Sequence, residues 1–333
     1  MTSKKTEFII GLDLGGTKIS AGALTVDGSQ MVGLHSIATQ SELGAEGVID
    51  RIIGLLETVM ADASKETGAS RKDFIGIGTG APGPLDRQKG IVVVAPNLGW
   101  RDFPMRDRIE SRLGIPTTLD NDANCATVGE WWLGAARGGT NVVGITIGTG
   151  IGGGLIINGE LYHGASDVAG EIGHTTIDVN GRHCKCGNYG CLEAYASGPA
   201  IATRAREALV REDTASMLPS MVDGQLDRIT AETVYDAAKK GDGLAHEIVR
   251  DTARYLGAGI ATLLNVINPD TVVIAGGVIR AGDALLTPLR TEVRRRAFKP
   301  AVEGARIVPA ELPGTAGVVG AVATFKMAKF GKL

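Results

Sequence analysis

IIGLDLGGTKISAGAL, residues 9–24, and VVGITIGTGIGGGLII, residues 142–157, follow one pattern: two apolar residues, a glycine, alternation, a glycine-rich turn and a second apolar strand. Period-two alternation rich in β-branched residues predicts a strand on each side of the turn. Each second strand closes on a hairpin signal, Asp27-Gly28 in the first copy and Asn158-Gly159 in the second. A repeat that occurs twice, about a domain apart, predicts two related lobes with a cleft, not a solenoid.

Both glycine segments differ from the better-known phosphate motifs. Gly148, Gly150 and Gly153 satisfy G-x-G-x-x-G, but the dinucleotide fingerprint needs a helix after the loop, and here the apolar LIIN continues as strand. Pro82 and Pro84 rule out a regular helix after Gly76 and Gly78. Gly15-Gly16-Thr17-Lys18 has the composition of a P-loop, yet threonine precedes lysine and a strand follows. What remains is strand-turn-strand, in which bare glycines let backbone N–H groups approach a phosphate and Thr17 adds a hydroxyl. Asp13, ending the first strand, is placed to hold Mg²⁺ directly or through water.

The other segments alternate as in an α/β protein. Helical spacing is predicted over 48–66 and 245–267, the latter stopping before Asn268-Pro269. Strands are predicted over 73–80, 115–120 and 271–279, the last breaking into Gly276-Gly277. A closing helix over 316–327 is expected to cross back to the first lobe. With 333 residues, 44% of them hydrophobic, the chain can fill two ordinary cores. MTSKKTEF runs straight into a strand, which leaves no room for a signal peptide, and no apolar run approaches a membrane span. A cytoplasmic protein is expected. Thirty-four basic against 37 acidic residues give no electrostatic case for nucleic acid or membrane as partner, and Arg294–Arg296 read as a solvated face.

LDNDANCATVGEWWLG, from Leu119, places Asp120, Asn121 and Asp122 where a strand gives way to a helix. An Asp or Asn there serves as N-cap whatever the function. The functional reading makes Asp122 a general base for a substrate hydroxyl. Helix N–H groups would weaken it as a base, but a loose phosphoryl-transfer transition state needs the hydroxyl oriented more than deprotonated early. Asn121 and Asn97 are amides suited to hydroxyls, and Asn97 also reads as a turn residue.

HCKCGNYGC, residues 183–191, holds three of the four cysteines. Cys184-x-Cys186 and Cys191, separated by glycine-containing spacers, form a tight knuckle, and His174 or His183 could complete four ligands for a structural Zn²⁺. C-x-x-C, the redox spacing, is absent, and metal binding is favoured over cross-linking. Cys125, among small residues, reads as core. Glu171 and Glu193 flank the knuckle, and a carboxylate can accept from two adjacent sugar hydroxyls at once. A zinc would hold both in place.

Together DLGGTK (13–18), GAPGPLD (80–86), PNLGW (96–100), DNDAN (120–124), TIGTGIGGG (146–154), GEIGH (170–174), CKCGNYGCLE (184–193) and VIAGGV (273–278) resemble the ROK family of bacterial sugar kinases and repressors. The resemblance implies an α/β, two-lobed actin-like (ribonuclease H-like) ATPase fold with an interlobe cleft: a small lobe over 1–120, rejoined by about 301–333, and a large lobe over 121–300. It implies Asp122 as catalytic base. Asn97, Asn121, Glu171, His174 and Glu193 become sugar contacts, and His174, Cys184, Cys186 and Cys191 zinc ligands. Asp13, Gly15, Gly16, Thr17, Lys18, Thr149, Gly150, Gly152, Gly276 and Gly277 fall on the MgATP side. Intact GEIGH and CLE are similar to the family's glucokinases, which makes glucose 6-phosphorylation by ATP the first expectation. N-acetylmannosamine, mannose or fructose as acceptor, polyphosphate as donor and a non-catalytic sugar-binding regulator are the alternatives. The family's repressors carry an N-terminal DNA-reading helix pair, for which the eight or so residues before the first strand give no room. A homodimer is expected from the likeness alone.

Overall fold

The computed structural model describes residues 6–211 and 215–333. An antiparallel meander comes first, β1 (Phe8–Leu14), β2 (Lys18–Thr25) and β3 (Met31–Ala38), followed by α1 (Gly44–Thr67). Val48, Ile49, Ile52, Leu56 and Val59 recur at helical spacing on the buried face of α1. The chain then returns as β4 (Phe74–Ala81), parallel to β1. β5 (Leu85–Asp86), β6 (Ile91–Ala95) and β7 (Trp100–Phe103) make a small separate sheet. Next come α2 (Met105–Leu113), β8 (Thr117–Asn121), parallel to β4, and α3 (Asp122–Leu133).

A second meander, β9 (Val142–Ile147), β10 (Ile151–Ile157) and β11 (Glu160–Leu161), precedes a long irregular stretch. Helices α4 (Glu193–Ala196), α5 (Gly198–Arg211), α6 (Leu218–Met221), α7 (Ala231–Lys239) and α8 (Gly243–Ile267) follow. β12 (Thr271–Ala275), α9 (Asp283–Arg296), α10 (Lys299–Gly304), β13 (Arg306–Pro309) and α11 (Ala316–Phe330) complete the fold. The two large sheets have orders β3-β2-β1-β4-β8 and β11-β10-β9-β12-β13. Both are one topology, a meander edge continued by two parallel strands, so the sequence repeat is a repeat of fold. Asn158 (φ 54°) and Gly159 (φ 76°) have the paired positive angles of the predicted two-residue hairpin. Asn268 ends α8 in the left-handed conformation before Pro269, as expected. β12 is shorter than the predicted 271–279. It stops at Ala275 because Gly276 takes φ 92°, with its Cα against the Ile147 carbonyl, and a short 3₁₀ turn follows.

The chain divides into two compact units, 1–138 with 154–170 and 311–333, and 139–153 with 171–310. The first therefore keeps α3, which the expected boundary at 120 gave to the other lobe, and it regains the chain at 311 instead of about 301. Packing explains this. Residues 316–325, AGVVGAVATF, are buried on every side, as a central helix must be. Gly78 and Gly320 let α11 approach β4 and α3 so closely that a Cβ would collide with the carbonyls of Ala321 and Cys125. The buried Glu130 of α3 also accepts from Ala135 N–H (2.9 Å), Glu311 N–H (3.0 Å) and Leu312 N–H (2.8 Å), fixing the entry to α11. Among the described residues no helix is long and apolar enough to cross a membrane.

Candidate functional site

In the first unit, acidic groups gather at the carboxyl ends of parallel strands. Asp13 on β1 is in register with Gly80 on β4, and Gly80 with Asp120 on β8. Register partners on parallel strands face one side, and here both carboxylates turn toward the helices. Asp13 lies against Gly317 in the first turn of α11, and Asp120 Oδ1 accepts from Asn124 Nδ2 of α3 at 3.0 Å. Burial, reinforced by the Asp122 charge and opposed by Lys18, pushes the Asp13 carboxyl up to about 7. A carboxyl whose proton affinity is raised by burial and by a neighbouring carboxylate suits a cation.

Asn121 is the N-cap of α3, its side-chain oxygen accepting from the N–H groups of Ala123 (2.9 Å) and Asn124 (3.2 Å). Asp122 is therefore the first helical residue, and its Oδ1 also accepts from Ala123 N–H at 2.8 Å. The turn 15–18 is closed by Gly15 N–H donating to the Lys18 carbonyl (2.9 Å) and by Thr39, whose hydroxyl donates to the Gly15 carbonyl at 2.7 Å. Thr17 and Lys18 stay exposed. A Cβ on Gly16 would lie 3.3 Å from the Asn97 Cβ, so the exposed Asn97 borders this turn. Cys125 is buried as expected, and burial pushes its thiol well above the ordinary range.

Asp120 anchors a network that the sequence did not reveal. Its Oδ2 accepts from Arg87 Nε (3.1 Å) and His163 Nε2 (2.9 Å), while Oδ1 accepts from Asn121 N–H (2.8 Å) and Asn124. Burial alone would raise this carboxyl. His163, Arg87 and Asn124 together hold it below the usual carboxylate range. Arg87 also reaches Asp167 at 3.5 Å. Arg87, His163 and Asp167 carry no spacing signal. Arg87 and His163 meet Asp120, and Asp167 meets Arg87, only through the fold.

In the second unit the four predicted ligands meet. One donor atom each from His174, Cys184, Cys186 and Cys191 lies within 4.8 Å of the others. Cys186 Sγ is 3.7 Å from Cys191 Sγ, and His174 Nδ1 is 3.7 Å from Cys184 Sγ. A tetrahedron with Zn–S of about 2.3 Å has edges of about 3.8 Å, so the group fits zinc; a disulfide, with S–S near 2.05 Å, is absent. His183 packs edge-on against Tyr189 instead. With Nδ1 facing the thiols, His174 turns Nε2 toward Glu171, 3.9 Å from Oε2.

The turn after β9 is bare. Gly148 and Thr149 are exposed, Gly148 N–H donates to the Gly150 carbonyl, and Gly152 already lies within β10. Gly276, seated on Ile147, brings the exposed Gly276-Gly277 pair beside it. Glu193 Oε2 accepts from Ile151 N–H at 2.8 Å. Asp13, the 15–18 turn, Asn97, Asn121 and Asp122 thus come together in the first unit. The 148–150 turn, the Gly276-Gly277 pair, Glu171, Glu193 and the knuckle come together in the second.

Known proteins agree with this architecture. A glucokinase of Halalkalibacterium halodurans is 41% identical over 93% of this chain and 92% of its own. A putative xylose repressor of Caldicellulosiruptor sp. is 35% identical over 96% of this chain and 78% of its own. The crystal structure of a ROK family glucokinase from Streptomyces griseus, in complex with glucose and AMPPNP, superposes with a TM-score of 0.80 at 38% identity, covering 95% of this chain and 98% of that one. The ROK family model matches residues 9–328, and the chain, two-lobed and actin-like in fold, belongs to the ROK family.

Proposed function

We propose that the chain is an ATP-dependent glucokinase, transferring the terminal phosphoryl of ATP to the 6-hydroxyl of glucose. The observation that carries this reading is the Asp122 carboxylate, at the first helical position of α3 behind the Asn121 N-cap and close to Asp13, which ends β1 beside an exposed glycine turn. Asp122 accepts the proton of the attacking hydroxyl and, before that, holds it in line. A loose transition state needs the hydroxyl oriented more than deprotonated early. Asn97 and Asn121 contact sugar hydroxyls from the first unit, and Glu171, His174 Nε2 and Glu193 from the second. The turns at 15–18 and 148–152, with Gly276 and Gly277, offer the nucleotide the hydroxyls of Thr17 and Thr149 and backbone N–H groups other than those of Gly15, Gly148 and Ile151, which close and support the turns. Asp13 would hold Mg²⁺, directly or through water, and the bound ion would supply charge neutralisation at the phosphates. His174, Cys184, Cys186 and Cys191 would hold a structural zinc, which would fix the loop that carries Glu171 and Glu193. The reaction is placed in the cytoplasm and the chain is taken as a homodimer, which light scattering checks.

A coupled ADP-release assay over glucose, mannose, fructose and N-acetylmannosamine, with ATP or polyphosphate as donor, tests the reading. ATP with glucose should give the highest kcat/KM. Absence of turnover with every sugar would leave a sugar-binding regulator. Asp122→Asn should lower kcat by several orders of magnitude while glucose still binds, and near-normal kcat would remove Asp122 from the base role.

A further inference from the structure

The turn read above as a phosphate cradle is gripped at one residue from two sides. Ile151 gives its N–H to Glu193 Oε2 at 2.8 Å, and a Cβ on Gly150 would sit 2.6 Å from that oxygen, so the carboxylate lies flat on the turn. The carbonyl of Ile151 is pressed by the Cα of Gly173, closer than any side chain would permit. Both gripping residues adjoin knuckle ligands. Gly173 precedes His174, and Glu193 opens α4 two residues after Cys191. The two stretches are themselves joined, Thr176 bridging to Cys191 and Leu192 N–H donating to the Thr175 carbonyl at 3.0 Å. Gly198 N–H, just past α4, donates to the Gly148 carbonyl at 2.9 Å.

A negative charge beneath a phosphate cradle repels the ligand, so electrostatics do not account for a carboxylate here. Its acceptor oxygen does. The geometry points to Glu193 as a positioning residue for the nucleotide turn, making that turn and the Cys/His knuckle one mechanical assembly. Glu193 thereby joins the sugar side of the site to the phosphate side. The inference rests on the reading that residues 148–152 hold the nucleotide.

Two readouts test it in the full chain without sugar: calorimetric binding of AMPPNP with Mg²⁺, and hydrogen exchange at the Ile151 amide. Glu193→Ala should weaken AMPPNP about tenfold, the loss of one charge-assisted hydrogen bond, and should speed exchange at Ile151. Glu193→Gln keeps an acceptor oxygen without the charge and should bind AMPPNP at least as well as the parent, with exchange still slow. Should Glu193→Ala not fold, exchange at Ile151 in the parent before and after zinc chelation reads the same linkage, and faster exchange after chelation supports it. Equal AMPPNP affinity in Glu193→Ala, equal loss in Glu193→Gln, or unchanged exchange after chelation would overturn the inference. A parent protein that fails to bind AMPPNP would instead refute the nucleotide reading itself.

Discussion

Asp120→Asn puts an amide where the structure has four donors converging on a carboxylate. Asn121 N–H and Asn124 Nδ2 approach one oxygen at 2.8 and 3.0 Å, and Arg87 Nε and His163 Nε2 approach the other at 3.1 and 2.9 Å. An amide matches only one of these pairs, and its NH₂ then faces the other. The Asp120 side chain is 3% exposed, so water cannot rescue it, and each unmade buried bond costs about 1–3 kcal/mol. Arg87 is 31% exposed and retains Asp167, so its share is discounted to about 1 kcal/mol at most. The expected loss is about 3 kcal/mol, roughly two orders of magnitude in the unfolding equilibrium. All three tryptophans, Trp100, Trp131 and Trp132, lie in the first unit, so urea unfolding followed by tryptophan emission reports this unit directly. Because the folded carboxyl titrates below the unfolded value of 3.8, the unfolded state binds more protons as pH falls through that window. The contribution is complete above it and lost below, and the variant should show a shallower acid decline. Turnover should fall about tenfold to a hundredfold, since Asp120 fixes the backbone from which Asn121 and Asp122 project. A change within about 0.5 kcal/mol together with parental turnover would refute the reasoning.

Metal analysis should find about one zinc per chain, and Cys184→Ser/Cys186→Ser should lose it; retention would mean the ligands are misassigned. His174→Ala should also lose zinc whereas His183→Ala keeps it, because His183 only stacks on Tyr189; the reverse pattern would exchange their roles. Gly320→Val drives a side chain into the Cys125 carbonyl and should cost about 3 kcal/mol or prevent folding, read by urea unfolding; a neutral effect would mean that α3 and α11 can move apart.

The paired hairpins were legible because their signals are local: period-two alternation, a bare turn, and Asn158-Gly159 supplying two positive φ angles. The Cys/His cluster is legible for the same reason, three of its members lying within eight residues, although the choice of His174 over His183 rests on family likeness and not on spacing. What escaped the sequence is set by long-range contacts. The place of α3 depends on Glu130 reaching residues 311 and 312, and the Asp120 network joins positions 87, 120, 163 and 167. No window of local sequence contains both ends of such bonds. Asn97 was ambiguous between turn residue and ligand, and the structure places it both in a 3₁₀ turn and beside Gly16.

The first unit's central helix is supplied by residues 311–333, although the sheet it covers is finished by residue 121. On the ribosome, at about 5–20 residues per second, the early strands must wait on the order of 10–40 s for the segment that fills their groove. During that interval the nascent meander exposes a glycine-lined trough shaped for one particular helix. A synthetic peptide spanning 311–333 should complement a fragment that stops short of it, read as recovery of the tryptophan emission of the intact chain.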